Sequence, residues 1–565
     1  MDQSLLFNGF PPALIFIIGG LLIPALKGKL KSAFMLALPV YAFFSLLQTP
    51  EGNSWHFSLL QYDLILCRID RLSLVFGYIF CIISWIAVIF ALNLEDDLQH
   101  VAGFIYAGAA LGVTFAGDLF TLYLFWEIMA VSSTFLILAR RTRKSQAAAF
   151  RYIMVHVVGG LLLLAGILIY IHDTGSPRFG FIGLSGTASY LIFLGIAVNA
   201  AIPPLHPWLQ DAYPEATVTG AVLLSAFTTK SAVYVMARTF PGTELLIYLG
   251  ALMTAVPIFY AVLENDVRRV LAYSLINQVG FMMCGIGIGT PLAINGTVSH
   301  AFCHILYKAL LFMSAGAVLH VTGKIRCTDL GGLYKTMPLT CIFCMVGAAS
   351  ISAFPLFSGF VSKSMIVSAA AHEKLALVWL LLQFASAGVF HHAGIKVPFF
   401  VFFGHDSGIR AKEPPLNMLI AMGLAAGLCI FLGVFPDPLY RIMPYPVEYV
   451  PYTGAHVVGQ LQLLLFGLLA FCLLILSGYY PSELRAINLD TDWFYRKGGK
   501  LFYRIADVSL NGLNRICEGV FVGGIAGSLA RFIQRAPPGF SIGVAPIGLG
   551  ALTAVLFIVG LFLWH

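Results

Sequence analysis

The sequence predicts an all-α polytopic membrane protein with about 14–16 transmembrane helices, several of them discontinuous. Of its 565 residues, 59% are apolar and only 10% are charged, whereas a soluble domain carries about 25% charged residues. Apolar stretches long enough for a spanning helix, about 20 residues each, recur from Phe10 to the last residue. Within lipid only helices and closed barrels satisfy the backbone, and these stretches are too long for barrel strands of about ten residues.

The polar parts of the chain leave no room for a separate soluble domain. The longest polar-leaning stretches are residues 48–71 and 480–538. The net charge of +7 lies in loops that flank the spans, so it does not predict nucleic-acid binding. Basic clusters at 27–31 and 140–144 fall on one side of the membrane, which the positive-inside rule assigns to the cytoplasm. The first span begins almost at once and further spans follow, so we predict no cleavable signal.

Four charged residues lie near the centres of predicted spans: Glu127, Lys230, Lys308 and Lys396. Each costs at least about 2.5–3.5 kcal/mol at mid-bilayer, so such residues usually have a function. A structural ion pair or snorkelling from a helix end would explain one of them more easily than four. The central cations are lysines and histidines rather than arginines. A buried lysine can release its proton and an arginine cannot, so this choice favours proton transfer.

His300, His304 and Lys308 recur every four residues. Each step advances about 6 Å along a helix and stays on one face, so water between the side chains would complete a proton wire. Zinc binding is the other use of two histidines at this spacing, but the next rung is a lysine and no third ligand follows. The CxxC of Cys341 and Cys344 lies in an apolar helix without a second cysteine pair. We therefore predict no metal site, no cofactor and no catalytic site.

Glu127 and Lys230 form the predicted acid–base pair of the first half of the chain. A carboxylate at close range favours the protonated lysine, and separation of the two favours proton release. The pair would therefore act as a switch driven by charge. Lys308 and Lys396 would need a different modulator, because both are cations.

Two segments rich in proline and glycine interrupt the predicted spans, AIPPLHPWLQDAYPEATVTG and SAFPLFSGFVSKSM. Their polar residues are candidates for half-channels or helix breaks: His206, Asp211, Glu215, Ser358 and Lys363. Paired broken segments in two halves are typical of transporters built from repeats. We predict N-terminal helices at 1–99, a first transport repeat at 100–264, a second at 269–435 and a C-terminal region at 436–565.

The C-terminal region contains a charged stretch, residues 490–535, in which charged and apolar residues alternate at helical spacing. It predicts either an amphipathic helix lying along the membrane or a cytoplasmic helical hairpin broken at Gly523 and Gly524. A last transmembrane helix follows at 541–563. Every intramembrane charge named above precedes this stretch, so we expect it to hold parts of an assembly together rather than to carry protons.

At these residues the chain resembles the antiporter-like membrane subunits of Mrp-type Na+/H+ antiporters, respiratory complex I and membrane-bound hydrogenases. The resemblance is carried, in order, by LFWE with Glu127, PPLHPWLQDAYPEA, SAFTTK with Lys230, DVRRVLAYSLINQVG, and HAFCHILYKALLFMSAGAVLH leading into DLGGLYKTMP. It implies two inverted five-helix repeats whose matching glutamate and lysines carry protons. PEATVTG and SAFTTK look most like the D-type member of the antiporter, whereas Arg268 and Arg269 stand where lysine–arginine is usual.

The resemblance and the buried charges together predict a proton-translocating subunit of a multisubunit Na+/H+ antiporter. The alternative is an antiporter-like subunit of a redox-driven complex, either an NADH–quinone oxidoreductase or a membrane-bound hydrogenase. The expected partners are other membrane subunits, H+, the lipid bilayer and, as an open alternative, Na+; nucleic acid is not expected. The expected location is the bacterial inner membrane.

Overall fold

The computed structural model of the chain describes residues 10–59, 62–480, 484, 488, 490–517 and 519. These residues fall into two compact units, Met1–Asp490 and Thr491–His565.

The first unit consists of nineteen α-helices and one two-stranded sheet within the described residues. The elements are α1 (Pro12–Leu22), α2 (Gly28–Gln48), β1 (Gly52–Leu59), β2 (Tyr62–Ile69), α3 (Arg71–Phe90), α4 (Asp97–Phe115), α5 (Leu119–Leu138), α6 (Arg143–Thr174), α7 (Gly186–Ala200), α8 (Pro207–Ala212), α9 (Val218–Ala226), α10 (Thr228–Thr239), α11 (Glu244–Leu263), α12 (Val267–Ile288), α13 (Pro291–Thr322), α14 (Pro338–Ile351), α15 (Ser358–His372), α16 (Ala376–Val389), α17 (Leu416–Val434), α18 (Asp437–Arg441) and α19 (Gly454–Leu476). Short 3-10 turns occupy Ile23–Ala25, Tyr213–Glu215, Cys327–Asp329 and Leu333–Lys335.

Twelve helical segments in the described part of the chain are long and apolar enough to cross a membrane, and three shorter apolar helices accompany them. The predicted fold class, a helical polytopic membrane protein, is therefore confirmed. The most hydrophobic windows of α12 and α13 are 94% buried, whereas that of α19 is 11% buried. α12 and α13, the second of which carries the histidine ladder, thus lie at the centre of the bundle, and α19 lies at its periphery. The span predicted at 541–563 lies outside the described residues.

A β-hairpin was not among the predicted elements. β1 and β2 pair antiparallel, from Gly52 opposite Ile69 to Leu59 opposite Tyr62. The hairpin occupies the polar-leaning stretch between α2 and α3, where β2 buries several of its apolar side chains. The backbone N–H of Ile65 donates to the Asp118 carboxylate at 2.7 Å, so the hairpin is tied to the start of α5.

Two features of the helix pair α5–α6 recur in the helix pair α12–α13. α6 and α13 are both 32 residues long, and each ends at a glycine in the left-handed conformation. The N-cap of α5, Asp118, forms an isolated backbone bridge with Arg178, and the N-cap of α12, Asp266, forms the same bridge with Arg326. Each bridge joins residues the same distance apart in the sequence. The two helix pairs, α5–α6 and α12–α13, are therefore built alike.

Helix interruptions occur at the sites that the proline-rich segments predict. Between α7 and α8 the chain leaves the helix for residues 201–206, and between α14 and α15 for residues 352–357. A third interruption, at Phe227, separates α9 from α10 immediately before Lys230. Beyond α16, two π-helical turns, Phe390–Lys396 and Phe399–Phe403, widen the helix. All of these leave backbone carbonyls without their usual helical donors.

The second unit begins with α20, a 26-residue helix at Asp492–Cys517. Charged residues such as Lys500 and Arg504 recur along it at helical spacing, as the sequence pattern predicted. Gly523 and Gly524, the predicted break of the hairpin alternative, lie outside the described residues.

Candidate functional site

Four lysine side chains are buried inside the bundle at 0–2% exposure: Lys230, Lys308, Lys363 and Lys396. Three were predicted as relay residues, and Lys363 was predicted at a helix break. Each amine donates to at least one backbone carbonyl. Buried ammonium groups need such partners because the interior offers little solvation.

Lys230 lies on the first turn of α10, directly after the interruption at Phe227. Its amine donates to the carbonyl oxygen of Ser225 at 2.6 Å and to the hydroxyl of Thr229 at 3.2 Å. The interruption leaves the Ser225 carbonyl facing the amine, so the break in the helix builds the site.

Lys396 is the last residue of the first π-helical turn. Its amine donates to the carbonyls of Ala261, Val262 and Glu264 at 3.2, 2.6 and 2.7 Å. These carbonyls lie at the C-terminal end of α11, where helices leave acceptors unpaired and carry partial negative charge. The helix end therefore holds the lysine.

The histidine ladder lies on α13. His300 contacts the hydroxyl of Ser362 through Nδ1 and the amide oxygen of Gln278 through Nε2, both at 3.2 Å. Tyr307 donates to the same Gln278 oxygen at 3.1 Å. The ring centroids of His300 and His304 are 6.2 Å apart, close to the helical rise that the spacing predicts.

His304 and Lys308 form the next two rungs. Neither ring nitrogen of His304 has a hydrogen-bond partner in the described part of the chain, although the ring is fully buried. Lys308 donates to the hydroxyl of Ser274 at 2.9 Å and to the carbonyl of Leu271 at 3.3 Å. Both Lys308 and Lys230 lie close enough to His304 for their charges to act on it. The ladder therefore reaches from the second half of the bundle to the lysine of the first half.

Lys363 adds a cation near His300, the first residue of the histidine ladder. Its amine donates to the carbonyl of Ile351, at the end of α14, at 3.3 Å. It also lies 5.4 Å from the ring centroid of Phe281. Its charge acts on His300. Ser358, the first residue of α15, is fully buried.

Glu127 is the predicted acid–base partner of Lys230. No ion pair of 4.0 Å or less joins these two described residues. Glu127 is half-buried on α5, and its Oε1 has no hydrogen-bond partner in the described part of the chain. That oxygen lies against Gly160 of α6, where an added Cβ would collide with it. The amine of Lys230 instead donates its hydrogen bonds to groups at the helix break.

Two acidic candidates at the first proline-rich break are held by arginines. Asp211 accepts two hydrogen bonds from Arg151, at 2.6 and 2.9 Å. Glu215 lies 3.3 Å from the guanidinium of Arg140. Arginine remains protonated, so these two carboxylates serve as partners for fixed charges. The structure does not bring them to the histidine ladder.

Sequence reasoning missed two buried histidines. His156 occupies the same position along α6 as His304 does along α13, and its Nδ1 contacts the side-chain oxygen of Asn199 at 2.7 Å. His392 is fully buried, and the charges of Lys308 and Lys396 act on it. The sequence contains a signal for each: His156 lies inside an apolar span, and His392 lies four residues before the buried Lys396.

Comparison with known proteins finds a matching family and several relatives. Residues 116–389 match the family described as NADH:quinone oxidoreductase/Mrp antiporter, TM. Subunit A1 of the Na(+)/H(+) antiporter of Staphylococcus haemolyticus is 28% identical, with 86% of this chain and 70% of that protein covered. Subunit A1 of Staphylococcus aureus is also 28% identical, with 75% and 60% covered. Homologues of the chain are Mrp-type antiporter subunits. Because these curated relatives are named subunit A1, the predicted D-type assignment is not confirmed.

Two solved structures share the fold. A chain of the Mrp complex from Dietzia sp. DQ12-45-1b gives a TM-score of 0.65 at 20% identity, covering 76% of this chain and 91% of that one. A chain of the membrane-bound sulfane sulfur reductase, an archaeal respiratory membrane complex, gives a TM-score of 0.69 at 25% identity, covering 82% and 99%. The chain is therefore a multi-pass membrane protein whose relatives work within multisubunit membrane complexes.

Proposed function

We propose that the chain translocates protons as a subunit of a multisubunit Na+/H+ antiporter of the Mrp type in the bacterial inner membrane. The observation that carries the proposal is the position of His304. Its buried ring, with neither nitrogen bonded within the described chain, lies within range of the charges of Lys230 and Lys308. A histidine takes up and releases protons near neutral pH, so it suits transfer between two lysines.

In this proposal the relay runs from Lys230 through His304 to Lys308, with His300 and Lys363 beside it. Lys396 lies further along the second half, and His392 lies within range of both Lys308 and Lys396. Glu127 provides the acidic end, on the half-exposed side of α5. A proton that arrives at one lysine repels the proton on the next, so the movement of one charge drives the movement of another.

The proposed organisation has two inverted repeats, at 100–264 and 269–435, between N-terminal helices at 1–99 and a C-terminal region at 436–565. The matching bridges at the starts of α5 and α12, and the equal lengths of α6 and α13, support it. So does the position shared by His156 and His304. The repeats would place one lysine beside a broken helix in each half.

The subunit type and the driving reaction belong to the proposal as well. The names of the relatives favour an A-type subunit over the D-type that the sequence wording suggested, and the chain spans 60–70% of their length. The likeness to the archaeal respiratory complex, which covers 99% of that chain, supports the second candidate, a proton-pumping subunit of a redox-driven complex.

Everted membrane vesicles that contain the whole complex test the proposal. Wild-type vesicles should release accumulated protons when Na+ is added, and Lys308→Ala vesicles with equal complex should not. Lys324→Ala, which changes an exposed lysine just beyond the end of the same helix, is the matched control and should exchange normally. Normal exchange by the Lys308→Ala complex would refute the relay. Proton pumping that requires an electron donor and ignores Na+ would favour the redox-driven candidate.

A further inference from the structure

A carboxylate from the C-terminal segment lies inside the transport unit. Asp490 follows α19 in the sequence, and its side chain is 3% exposed. The amide nitrogen of Gln210 donates to its Oδ2 at 2.8 Å, and the hydroxyl of Tyr273 donates to the same oxygen at 2.9 Å. The Nε2 atom of His206 lies 3.3 Å from this oxygen, outside hydrogen-bond alignment. Three groups, from α8, from the break before it and from α12, therefore converge on one carboxylate oxygen.

The chemistry of the three contacts differs. Gln210 and Tyr273 are neutral donors near pH 7 and fix the position of Oδ2. His206 supplies an imidazole, the side-chain type best suited to proton exchange, and its ring is 3% exposed as well. A buried carboxylate beside a neutral imidazole is costly, and so is a buried imidazolium without an anion. The two side chains are therefore stable together when both are charged or when both are neutral.

The surrounding charges are already paired with one another. On the α8 side, Asp211 is held by Arg151. On the α12 side, Arg269 lies 3.7 Å from Glu264, and Asn488 donates to that glutamate at 3.4 Å. These pairs lie beside the cluster, and each places a carboxylate next to an arginine, which keeps its proton. Within the cluster, Asp490 and His206 bring a carboxylate and an imidazole to 3.3 Å from each other.

We propose that Asp490 and His206 form a proton-exchange pair at the break between α7 and α8, so that the C-terminal segment supplies a group to the proton path. The inference rests on the proposed function. In the step, the Nε2–H bond of the His206 imidazolium breaks and an O–H bond forms at Oδ2 of Asp490, which removes both charges. Water takes the proton from the carboxylic acid, and a new proton that arrives at Nδ1 of His206 resets the pair after the ring changes tautomer.

The C-terminal segment thus has a second role beside the structural one that the sequence predicted. The sequence placed all intramembrane charges before residue 490 and gave the tail only a role in assembly. A purely structural anchor would need the hydrogen bonds from Gln210 and Tyr273, which an asparagine could also accept. Exchange needs the ionisable carboxyl group. The two roles are therefore separable by one substitution.

The test uses the full chain in its complex, in everted vesicles. Asp490→Asn keeps the size of the side chain and an acceptor oxygen, and we expect it to lower proton transport about tenfold or more, since a general acid–base group contributes about 10²–10⁴-fold. Asp490→Glu should retain part of the activity. The double variant Asp490→Asn with His206→Gln should be no slower than the slower single variant, because the two residues act as one unit. Asp507→Asn, on the exposed side of α20, is the matched control.

Two further readouts separate exchange from anchoring: the amount of assembled complex and the pH profile of transport. We expect Asp490→Asn to leave the complex at wild-type levels and to change the pH profile of transport relative to the wild type. A wild-type rate and profile in Asp490→Asn, with Lys308→Ala inactive, would overturn this inference and leave the proposed function standing. The same holds if Asp490→Asn lowers only the amount of complex. Normal transport by Lys308→Ala would overturn the proposed function and this inference with it.

Discussion

Lys230 donates to the carbonyl oxygen of Ser225 at 2.6 Å across the interruption between α9 and α10. The carbonyl is available because Phe227 breaks the helix between them. The lysine therefore has a partner when Glu127 is distant, and its charge remains free to respond to other charges. Proton transfer at Lys230 should therefore depend on the helix break at Phe227 as well as on the carboxylate of Glu127.

We expect Lys230→Ala to abolish ion-coupled transport and to leave the protein inserted, because the path loses a cation that can release its proton. Lys230→Arg should fail nearly as completely, since arginine keeps its proton. Transport in everted vesicles, normalised to the amount of complex, measures both. A wild-type rate in the arginine variant would show that a static charge is sufficient.

Glu127→Gln should be as inactive as the lysine variants, and Glu127→Asp should be partly active, because aspartate still ionises but its carboxyl lies one methylene back. Gly160→Ala should also impair transport, since the new methyl group collides with Oε1 of Glu127. Gly427→Ala has open space around the new methyl group and serves as the control. If the glutamine variant transports normally, the carboxylate has no part in the relay.

The ladder should show graded effects on transport. We expect His300→Ala and His304→Ala to slow proton movement, because water can bridge a missing rung, and Lys308→Ala to stop it. Loss of His304 should slow transport more than loss of His300, because the ring of His304 lies within range of both Lys230 and Lys308. His320→Ala, at the exposed end of the same helix, should be neutral. Full activity in the two histidine variants and in their double variant would assign these residues to packing.

Asp70 lies outside the membrane spans, and we expect it to make the stability of the fold depend on pH in the acid range. It caps α3 and accepts two hydrogen bonds of 2.8 Å from Arg238. Burial raises the pKa of Asp70, but the hydrogen bonds and charge of Arg238 outweigh it, so the net pKa lies below the usual 3.8. A depressed pKa contributes stability that is complete above the unfolded value and is lost as the pH falls towards the folded one.

Thermal unfolding in detergent between pH 7 and pH 3 tests this link. Wild-type protein should lose stability as the pH falls below about 4, and Asp70→Asn should lack that component of the pH dependence. The variant should also be less stable at pH 7, by up to about 3 kcal/mol, because Arg238 is left without its anion, although asparagine still caps the helix. Asp437→Asn, an exposed aspartate at another helix start, should follow the wild type. Equal pH dependence in the two aspartate variants would contradict the assignment.

The membrane fold, the buried lysines and the histidine ladder could be predicted because each depends on local sequence. Apolar length predicts a spanning helix, and a spacing of four residues places His300, His304 and Lys308 on one face. Proline-rich segments likewise predicted the breaks near His206 and Ser358. These inferences require no knowledge of how distant segments pack.

The remaining features depend on contacts between distant residues. The pairing of Asp211 with Arg151 joins residues 60 positions apart, so the sequence could not distinguish a fixed carboxylate from a proton carrier. Glu127 and Lys230 are both buried charges, but the distance between them depends on how α5 packs. Asp490 lies 280 positions from Gln210, in a stretch whose composition resembles a surface helix. Only the assembled bundle brings it to His206.

The groups that hydrogen-bond to the buried lysines also determine whether each site can rearrange its hydrogen bonds when the lysine loses its proton. A carbonyl only accepts, whereas a hydroxyl can turn and donate to the lone pair of a neutral amine. The Lys230 and Lys308 sites each combine a carbonyl with a hydroxyl, from Thr229 and Ser274. Their hydrogen-bond networks can therefore reverse direction without moving a heavy atom. At Lys396 the three carbonyl contacts can only accept, so those contacts do not reverse in this way.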